Sequence, residues 1–409
     1  METQDYTQLN TVLRSVIYFF IIVALAAAAW FVFPYILQTQ LRTATIYFSA
    51  PLTLESNKTM LNGFTVALEE NNYKAGKISL LLSSFDDGDS TGTWLPEKER
   101  NIAELAAADE TAVAYIGPAN SGAAKISMPI LNTAGILQIS PSNTWPGLTK
   151  VGFLPGEPGI FYPTGIRHYV RVCTTDDLQG PAAAVWAHKM GYKSVYVVND
   201  ADPYGVGIAN LFQAEARRLG MTVFGQKTVS AKAAVYQSLA DDIVISKAEL
   251  VYYGGTTPNG GPELIKTLRQ RGSPVAFMGP DGVYEQDFID KIGSSTDSIF
   301  ITAVGAPPEE VKTKNSAEFL RKYTARFHTK PDVFAALAYD AAVALIRSIE
   351  RADAVDRRAV LTEMKNIKSF NGVFGLWGFD QNGDTTQTLL SGNTVKNGAF
   401  VFERLLTIE

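Results

Sequence analysis

The stretch Ala112–Trp145, AVAYIGPANSGAAKISMPILNTAGILQISPSNTW, decides the fold. Two short apolar segments, Ala112–Gly117 and Ile136–Ser140, flank a helical pattern at Ala123–Asn132. An apolar strand, a helix and a second apolar strand are typical of a β-α-β unit with parallel strands. The stretch therefore predicts an α/β fold.

The loops that follow these two strands are rich in small polar residues. Ser121 lies after the first strand, and Ser142, Asn143 and Thr144 lie after the second. Neither loop contains an acid, a base or a thiol. Hydroxyls and free backbone N–H groups at the start of a helix favour a small anionic group. The loops thus predict a site that holds a carboxylate without reacting with it.

The composition of the chain excludes several classes of function. A length of 409 residues suits two domains and an appendage. The 36 basic and 41 acidic side chains give a net charge of −5, which argues against a nucleic-acid partner. The one cysteine, Cys173, and the three separated histidines show no metal-binding or catalytic spacing. We therefore predict no enzymatic activity, no cofactor and no metal.

The N-terminal region predicts a membrane segment. A short tail, residues 1–15, precedes Val16–Leu37, a run of 22 uncharged, mostly apolar residues. About 20 such residues suffice to cross a bilayer, whereas the apolar core of a signal peptide has about 7–15. We predict an uncleaved transmembrane signal anchor; the alternative is a cleaved signal peptide that releases a secreted or periplasmic protein.

Beyond residue 43, apolar strands alternate with helical patterns in two successive runs. This order predicts two doubly wound, Rossmann-like lobes with parallel sheets, joined by a multi-strand hinge. We predict lobe I at residues 44–173 plus about 303–385, and lobe II at residues 174–302 plus about 386–409. The Pro- and Gly-rich segment Val151–Tyr169 between the two runs is interpreted as a surface excursion, and a late antiparallel strand pair is expected near the C-terminus.

Two acidic segments, Asp86–Asp89 and Asp380–Asp384, raise the question of a calcium loop. Neither has the twelve-residue EF-hand span that ends in glutamate. Asn382-Gly383 is a strong tight-turn signal. We therefore interpret both segments as turns.

Several segments, in this order and spacing, resemble the Leu/Ile/Val-type substrate-binding proteins of ABC transporters, which have the type I periplasmic-binding-protein fold. The resemblance covers residues from about 44 to 406. The segments are Tyr115–Ser121, Ile139–Thr144, Asp176–Pro181, Asp202–Gly205, Val251–Gly255, Phe277–Gly282, Ala338–Asp340, Phe370–Gly375 and Phe379–Asp384.

The resemblance implies how an α-amino acid would be held. The positions of Ser121 and Thr144 hold the ligand carboxylate, and Ser142 and Asn143 contribute backbone contacts beside them. The position of Asp281 holds the ammonium. The resemblance also implies that Tyr204 closes over the ligand from the second lobe.

The sequence departs from the family pattern at positions that affect specificity. Asp281 stands where glutamate is usual, and Thr256 stands where an aromatic residue often lines the pocket. Asn143 is bulkier and more polar than the usual small residue. The segment Phe48–Lys58 matches poorly, so no contact is assigned there. Without the resemblance, Ser121 and Thr144 read equally as cap residues and Asp281 as a turn residue.

The resemblance predicts a membrane-anchored, extracytoplasmic solute-binding protein. It would capture an amino acid, branched-chain or otherwise aliphatic or polar, and deliver it to ABC permease subunits. The alternatives are a ligand-sensing ectodomain, or a binder of a small amide or carboxylate, on the same fold. An α/β enzyme would need a nucleophile with its base or a metal cage, and no motif suggests either.

Overall fold

The computed structural model describes residues 16–30, 43–229 and 233–407. In chain order its strands are β1 (Thr43–Ala50), β2 (Lys74–Ala75), β3 (Ile78–Asp86), β4 (Ala112–Ile116), β5 (Leu137–Ser140), β6 (Tyr169–Arg171), β7 (Ser194–Asn199), β8 (Thr222–Thr228), β9 (Leu250–Gly254), β10 (Ala276–Gly279), β11 (Ile299–Val304), β12 (Phe370–Gly372), β13 (Gly375–Trp377), β14 (Leu390–Lys396) and β15 (Ala399–Leu405).

The helices alternate with these strands through most of the chain. They are α1 (residues 16–30), α2 (Glu55–Glu70), α3 (Pro96–Ala108), α4 (Ser121–Ala134), α5 (Asp176–Lys189), α6 (Pro203–Arg218), α7 (Ala233–Ser246), α8 (Gly261–Gln270), α9 (Gln286–Ile292), α10 (Lys314–Phe327), α11 (Val333–Ala352) and α12 (Arg357–Lys365).

Lobe I is built on a six-stranded sheet in the order β2-β3-β1-β4-β5-β6. Its strands pair in parallel except for the short β2 at one edge. The order reverses direction between β1 and β4, because the chain adds β3 on one side of β1 and then β4 on the other. Such a reversal opens a crevice at the carboxyl ends of the two strands.

Lobe II is built on a seven-stranded sheet in the order β15-β14-β11-β10-β9-β7-β8. Strands β7 to β11 pair in parallel, while β14 and β15 are antiparallel. Here the order reverses between β7 and β9. The predicted α/β class is confirmed. The sheets are mixed, because the late antiparallel pair joins the second sheet and β2 joins the first.

The helices cover the sheets because the strands are apolar on both faces. Strands β4 and β9 are buried at every residue, as expected for parallel strands between helical layers. The long helix α11 packs closely on α2 in lobe I. At Gly63 of α2, a Cβ atom would lie 2.0 Å from the carbonyl oxygen of Ala335. Glycine is therefore required for this helix contact.

Three segments of the described chain connect the two sheets: β6 to α5, β11 to α10 and β13 to β14. Hydrogen bonds show that these segments lie side by side. Thr174 Oγ1 of the first segment donates to the carbonyl of Gln387 in the third at 3.1 Å. Gly305 N also donates to the carbonyl of Leu389 at 2.9 Å. This arrangement supports the multi-strand connection between lobes. The predicted lobe boundaries themselves remain a prediction.

The prediction for Val151–Tyr169 was wrong in part. Val151, Leu154 and Ile160 are exposed, as expected of a surface excursion. However, Phe161 and Tyr162 are buried in a cluster with Trp145, and Tyr169 begins β6 at the edge of the first sheet. The prolines and glycines of this segment gave no strand pattern in the sequence. In addition, β6 has only three residues and lies at the edge of the sheet beside β5.

The predicted membrane segment falls partly on described residues. Residues 16–30 form α1 with exposed side chains, and residues 31–37 lie outside the described residues, as does the tail 1–15. Among the described helices, none has the length and apolar character needed to cross a membrane.

Candidate functional site

The candidate site lies between the two lobes, where both sheets reverse their strand order. The loops after β1 and β4 reach it from lobe I, and the loops after β7 and β9 reach it from lobe II. The end of β1 meets the loop after β4 closely at Gly117, which has φ of +98°. A Cβ atom there would lie 2.4 Å from the carbonyl oxygen of Ser49, so only glycine fits.

A cavity of about 630 Å³, including its opening, fills this position. Five predicted site residues line it together, three of them from lobe II. The lining consists of Leu54, Ser56, Asn57, Gly92, Ala119, Asn120, Ser121, Ser142, Tyr204, Thr256, Pro258, Asp281, Gly282, Tyr284, Glu285 and Phe334.

The lobe I wall carries the hydroxyls of Ser121 and Ser142. Ser121 is the first residue of α4, and its Oγ accepts a hydrogen bond from Trp145 N at 3.2 Å. Ser142 Oγ donates to the carbonyl of Ala119 at 2.9 Å. The first N–H groups of a helix have no intrahelical acceptor. This wall can therefore offer several hydrogen bonds to an anionic group.

Asn143 is buried beside the cavity and does not line it. Its Nδ2 donates to the carbonyls of Pro118 at 2.7 Å and Ala119 at 2.9 Å. Its Oδ1 accepts from Tyr169 at 3.1 Å. The Nδ2 group of Asn143 thus holds the loop after β5 against the loop after β4, and Oδ1 holds it against β6. The polar character that made this residue unusual in the sequence has a structural reason.

Thr144 is also buried outside the cavity lining, at the contact between the lobes. Its carbonyl accepts from Asp176 N at 2.9 Å. Neither the hydroxyl of Thr144 nor the carboxyl oxygens of Asp176 have a partner of normal hydrogen-bond geometry within the described chain. Burial and the nearby charge of Asp281 raise the pKa of Asp176, and the Thr144 hydroxyl opposes this rise.

The lobe II wall is organised by Tyr204 and Asp281. Tyr204 lies in the first turn of α6, and its hydroxyl donates to Asp281 Oδ1 at 2.7 Å and accepts from Gly282 N at 3.0 Å. Asp281 follows β10 and is 5 % exposed. Burial raises the pKa of Asp281 to about 6, against the lowering effect of the hydrogen bonds from Tyr204 and Gln179. Asp281 is therefore mostly ionised at neutral pH, and its carboxylate can accept further hydrogen bonds.

Thr256 lines the cavity after β9, and its backbone is held firmly. Thr256 N donates to Asp200 Oδ2 at 3.0 Å, and its carbonyl accepts from Tyr253 at 3.0 Å. Asn259 donates to the same Asp200 oxygen at 2.8 Å. Because the buried carboxyl of Asp200 ties the loops after β7 and β9 together, it positions Tyr204 and Thr256 on one wall.

Several lining residues were missed by the sequence analysis. Ser56 and its neighbours belong to the segment where no contact was assigned, Glu285 precedes α9, and Phe334 belongs to α11. The position of β1 next to β4 would have indicated the first group, because adjacent parallel strands end at the same edge. Nothing in the local sequence indicates Phe334, since it reaches the cavity only after the second connection, β11 to α10, has returned the chain to lobe I.

Two hydrogen bonds join the lobes near the cavity, one of them between residues that line it. Trp94 Nε1 from lobe I donates to Asp202 Oδ2 of lobe II at 2.8 Å. Ser56 Oγ from lobe I donates to Glu285 Oε2 of lobe II at 2.8 Å. Asp202 also accepts from Tyr204 N at 3.0 Å and thereby caps α6. The described conformation is therefore one in which the lobes are in contact around the site.

The charges of the site have one sign. Among the described lining residues, Asp281 and Glu285 are acidic and none is lysine, arginine or histidine. Across the described chain, no group of three or more His, Cys, Asp or Glu is arranged to hold a metal ion. The cavity therefore presents hydroxyls on one wall and carboxyls on the other, which suits a ligand with both an anionic and a cationic end.

Comparisons with known proteins agree with this geometry. A family model described as periplasmic binding protein matches residues 45–399. The Leu/Ile/Val-binding protein BraC3 of Rhizobium johnstonii is 27% identical over 354 residues, which are 85% of this chain and 90% of BraC3. A leucine-, isoleucine-, valine-, threonine- and alanine-binding protein of Pseudomonas aeruginosa is 26% identical, covering 66% of this chain and 68% of that protein.

A solved structure has the same fold over most of the chain. The leucine-binding protein LivK of Thermotoga maritima superposes with a TM-score of 0.77 at 25% sequence identity. The superposition covers 89% of this chain and 99% of LivK. The part of the chain that aligns thus contains both lobes.

Proposed function

Because the chain belongs to the periplasmic binding protein family, we propose that it binds an α-amino acid between its lobes and delivers it to an ABC permease. Membership of this family implies a place outside the cytoplasm. The matching relatives are binding proteins, not enzymes, so the chain captures its ligand without a chemical step.

The observation that carries the proposal is the opposition of two walls in one cavity. Ser121 and the first N–H groups of α4 on lobe I are placed to donate to a carboxylate, and Asp281 on lobe II is placed to accept from an ammonium. Charge-assisted hydrogen bonds are about twice as strong as neutral ones. Because the two ends of the ligand contact different lobes, the closed conformation has the higher affinity and ligand selects it.

We further propose that Val16–Leu37 anchors the protein to the membrane. Its support is the sequence, since 22 uncharged residues are long enough to span a bilayer. Washing membranes with high salt and alkaline carbonate tests this: the anchored chain stays with the lipid, and a cleaved, soluble chain is released.

A thermal-shift screen of the full chain in mild detergent tests the ligand class. At a concentration about a hundredfold above Kd, the cognate amino acid should stabilise the protein by about 2.7 kcal/mol. The N-acetyl derivative of that amino acid lacks the ammonium, and its amide derivative lacks the carboxylate. Both should give no shift at the same concentration. A derivative that binds as well as the parent would contradict the two-ended clamp.

The affinity for an α-amino acid should depend on pH through Asp281. Its pKa of about 6 in the free protein means that it is mostly protonated at pH 5, when it cannot pair with an ammonium. When the pH is one unit below the pKa of Asp281, only about a tenth of the carboxyl is ionised, so the affinity falls about tenfold. We expect Kd, measured by calorimetry with an aliphatic amino acid, to be about tenfold higher at pH 5 than at pH 7.

The stability of the free protein should change with pH in the opposite direction. The folded pKa of Asp281 lies above its unfolded value, so the folded state binds more protons between about pH 4 and 6. The contribution of Asp281 to stability is therefore present at low pH and lost as pH rises through 6. A ligand-induced shift in melting temperature that did not grow from pH 5 to 7 would contradict this assignment.

A further inference from the structure

The cavity contains a second carboxyl group, Glu285, which the amino-acid clamp does not use. Glu285 lies immediately before α9 and is 7 % exposed. Its Oε2 accepts from Ser56 across the lobes at 2.8 Å. Its Oε1 has no partner of normal hydrogen-bond geometry among the residues that the structure describes, although the Thr257 hydroxyl is close enough to favour the ionised form. Burial raises the pKa of Glu285 to about 7, with the Thr257 and Ser56 hydroxyls opposing the rise.

A bound α-amino acid has no charge left to pair with Glu285, whose pKa Lys291 of α9 lowers only weakly. The ligand ammonium pairs with Asp281, and the ligand carboxylate takes the donors of lobe I. Within the described lining no cationic side chain remains for Glu285. A buried carboxylate without enough donors is costly. A ligand with an aliphatic side chain leaves this cost in place, whereas a ligand that carries a further donor removes it.

The surroundings of Glu285 are acidic beyond the cavity. Ser56, Tyr284 and Glu285 line both the cavity and an adjoining groove. The groove is also lined by the acidic residues Glu55, Glu309, Glu310 and Asp332, against the one basic lining residue Lys330. Lys330 Nζ lies 3.4 Å from Glu309 Oε1, so these two side chains form an ion pair. An acidic groove raises the local concentration of cations. Glu285 lies where this groove adjoins the cavity.

We propose that Glu285 selects an α-amino acid whose side chain ends in a hydrogen-bond donor, an amine or an amide, over an aliphatic one of the same shape. This inference rests on the proposed function, because it assumes that Asp281 takes the α-ammonium. Glu285 is then a specificity-determining residue on the side-chain end of the ligand. The polar end of that side chain would share the carboxyl with Ser56.

Two pairs of nearly isosteric amino acids test the inference by calorimetry on the full chain. In 2,4-diaminobutyrate an ammonium replaces the terminal methyl of norvaline, and in asparagine an amide replaces the isopropyl group of leucine. The polar member of each pair should bind at least tenfold more tightly. In Glu285→Gln the preference for 2,4-diaminobutyrate over norvaline should fall by at least tenfold.

A matched control and the melting temperature separate specificity from folding. Glu104 is exposed on α3 of lobe I, so Glu104→Gln should leave both preferences within twofold. If norvaline and leucine bind as tightly as their polar partners, or if Glu285→Gln keeps the preference while folded, the role of Glu285 is wrong and the clamp stands. If no α-amino acid binds the wild-type chain, the proposed function fails and this inference fails with it.

Discussion

Replacing Asp281 by asparagine should weaken the binding of every α-amino acid by at least about 30-fold. Removing one partner of a buried charge pair typically costs 2–5 kcal/mol of binding free energy, and each 1.4 kcal/mol is tenfold in Kd. Asp281 is already oriented in the cavity, because its carboxyl accepts from the Tyr204 hydroxyl. That hydroxyl is itself fixed by a hydrogen bond from Gly282 N. Calorimetry with the cognate amino acid measures the loss.

The same substitution should not lower the stability of the free protein. Burial raises the pKa of Asp281 to about 6, so at neutral pH the folded chain bears the cost of an ionised, buried carboxyl. The amide oxygen of the new side chain can still accept from Tyr204. We expect the melting temperature of the unliganded variant at pH 7 to equal or exceed that of the wild type.

An exposed aspartate of the same lobe provides the control. Asp290 lies on α9 and accepts from Gln286 at 2.9 Å, and Asp290→Asn should leave Kd unchanged within experimental scatter. The dependence of Kd on pH between 5 and 7 should also disappear in Asp281→Asn. Wild-type affinity in a folded Asp281→Asn protein would remove Asp281 from the site.

Replacing Arg171 by methionine should destabilise the fold by about 3–5 kcal/mol, the usual cost of breaking a buried ion pair. Arg171 ends β6 and is 0 % exposed. Its Nε donates to Asp384 Oδ1 at 2.7 Å, and its Nη1 donates to the carbonyls of Asn143 at 2.9 Å and Trp145 at 2.8 Å. Removing it leaves Asp384 buried without its main cation.

Arg171 also connects the loop after β5 to a distant segment of the chain near residue 384. Its contacts hold the loop after β5, which carries Ser142, against Asp384. The charge of Arg171 holds the pKa of Asp384 below its usual value in spite of burial. The stability from this pair is therefore present at neutral pH and is lost as pH falls through that lowered pKa. Urea unfolding followed by tryptophan fluorescence measures the change.

A double variant and a surface control test the cause of this loss. In Arg171→Met/Asp384→Leu no charge is left unpaired, so part of the lost stability should return. Arg218→Met removes an exposed arginine that pairs with Glu215 three residues away, and it should not change the unfolding midpoint measurably. A double variant less stable than Arg171→Met would show that packing at Arg171, rather than its charge, carries the effect.

The structure also explains which site residues could be predicted. Ser121, Ser142, Tyr204, Thr256 and Asp281 all follow strands whose apolar pattern is clear, and the structure brings them into one cavity. Parallel strands end at one edge of a sheet, so residues just beyond them converge. Asn143 and Thr144 follow β5 as well, but the Asn143 side chain donates to the loop after β4, and the Thr144 carbonyl accepts from Asp176 N.

The residues that could not be predicted depend on contacts between distant segments. Glu285 faces Ser56, which is 229 positions away, and Arg171 binds Asp384, which is 213 positions away. In the sequence, Arg171 follows a Pro- and Gly-rich segment that shows no strand pattern. A strand of three residues at the edge of a sheet is too short to show an alternating or continuous apolar pattern.

The α/β class, the two runs of doubly wound structure and the strand ends that line the cavity with hydroxyls could be read from the amino-acid order alone. These follow from local periodicity and from loop composition, which depend on neighbouring residues. The long-range folding of the chain, by contrast, places Glu285 in the cavity lining and turns the Asn143 side chain away from it into contacts with neighbouring loops. Both depend on how the chain crosses between the lobes, because those crossings bring together side chains that local patterns cannot relate.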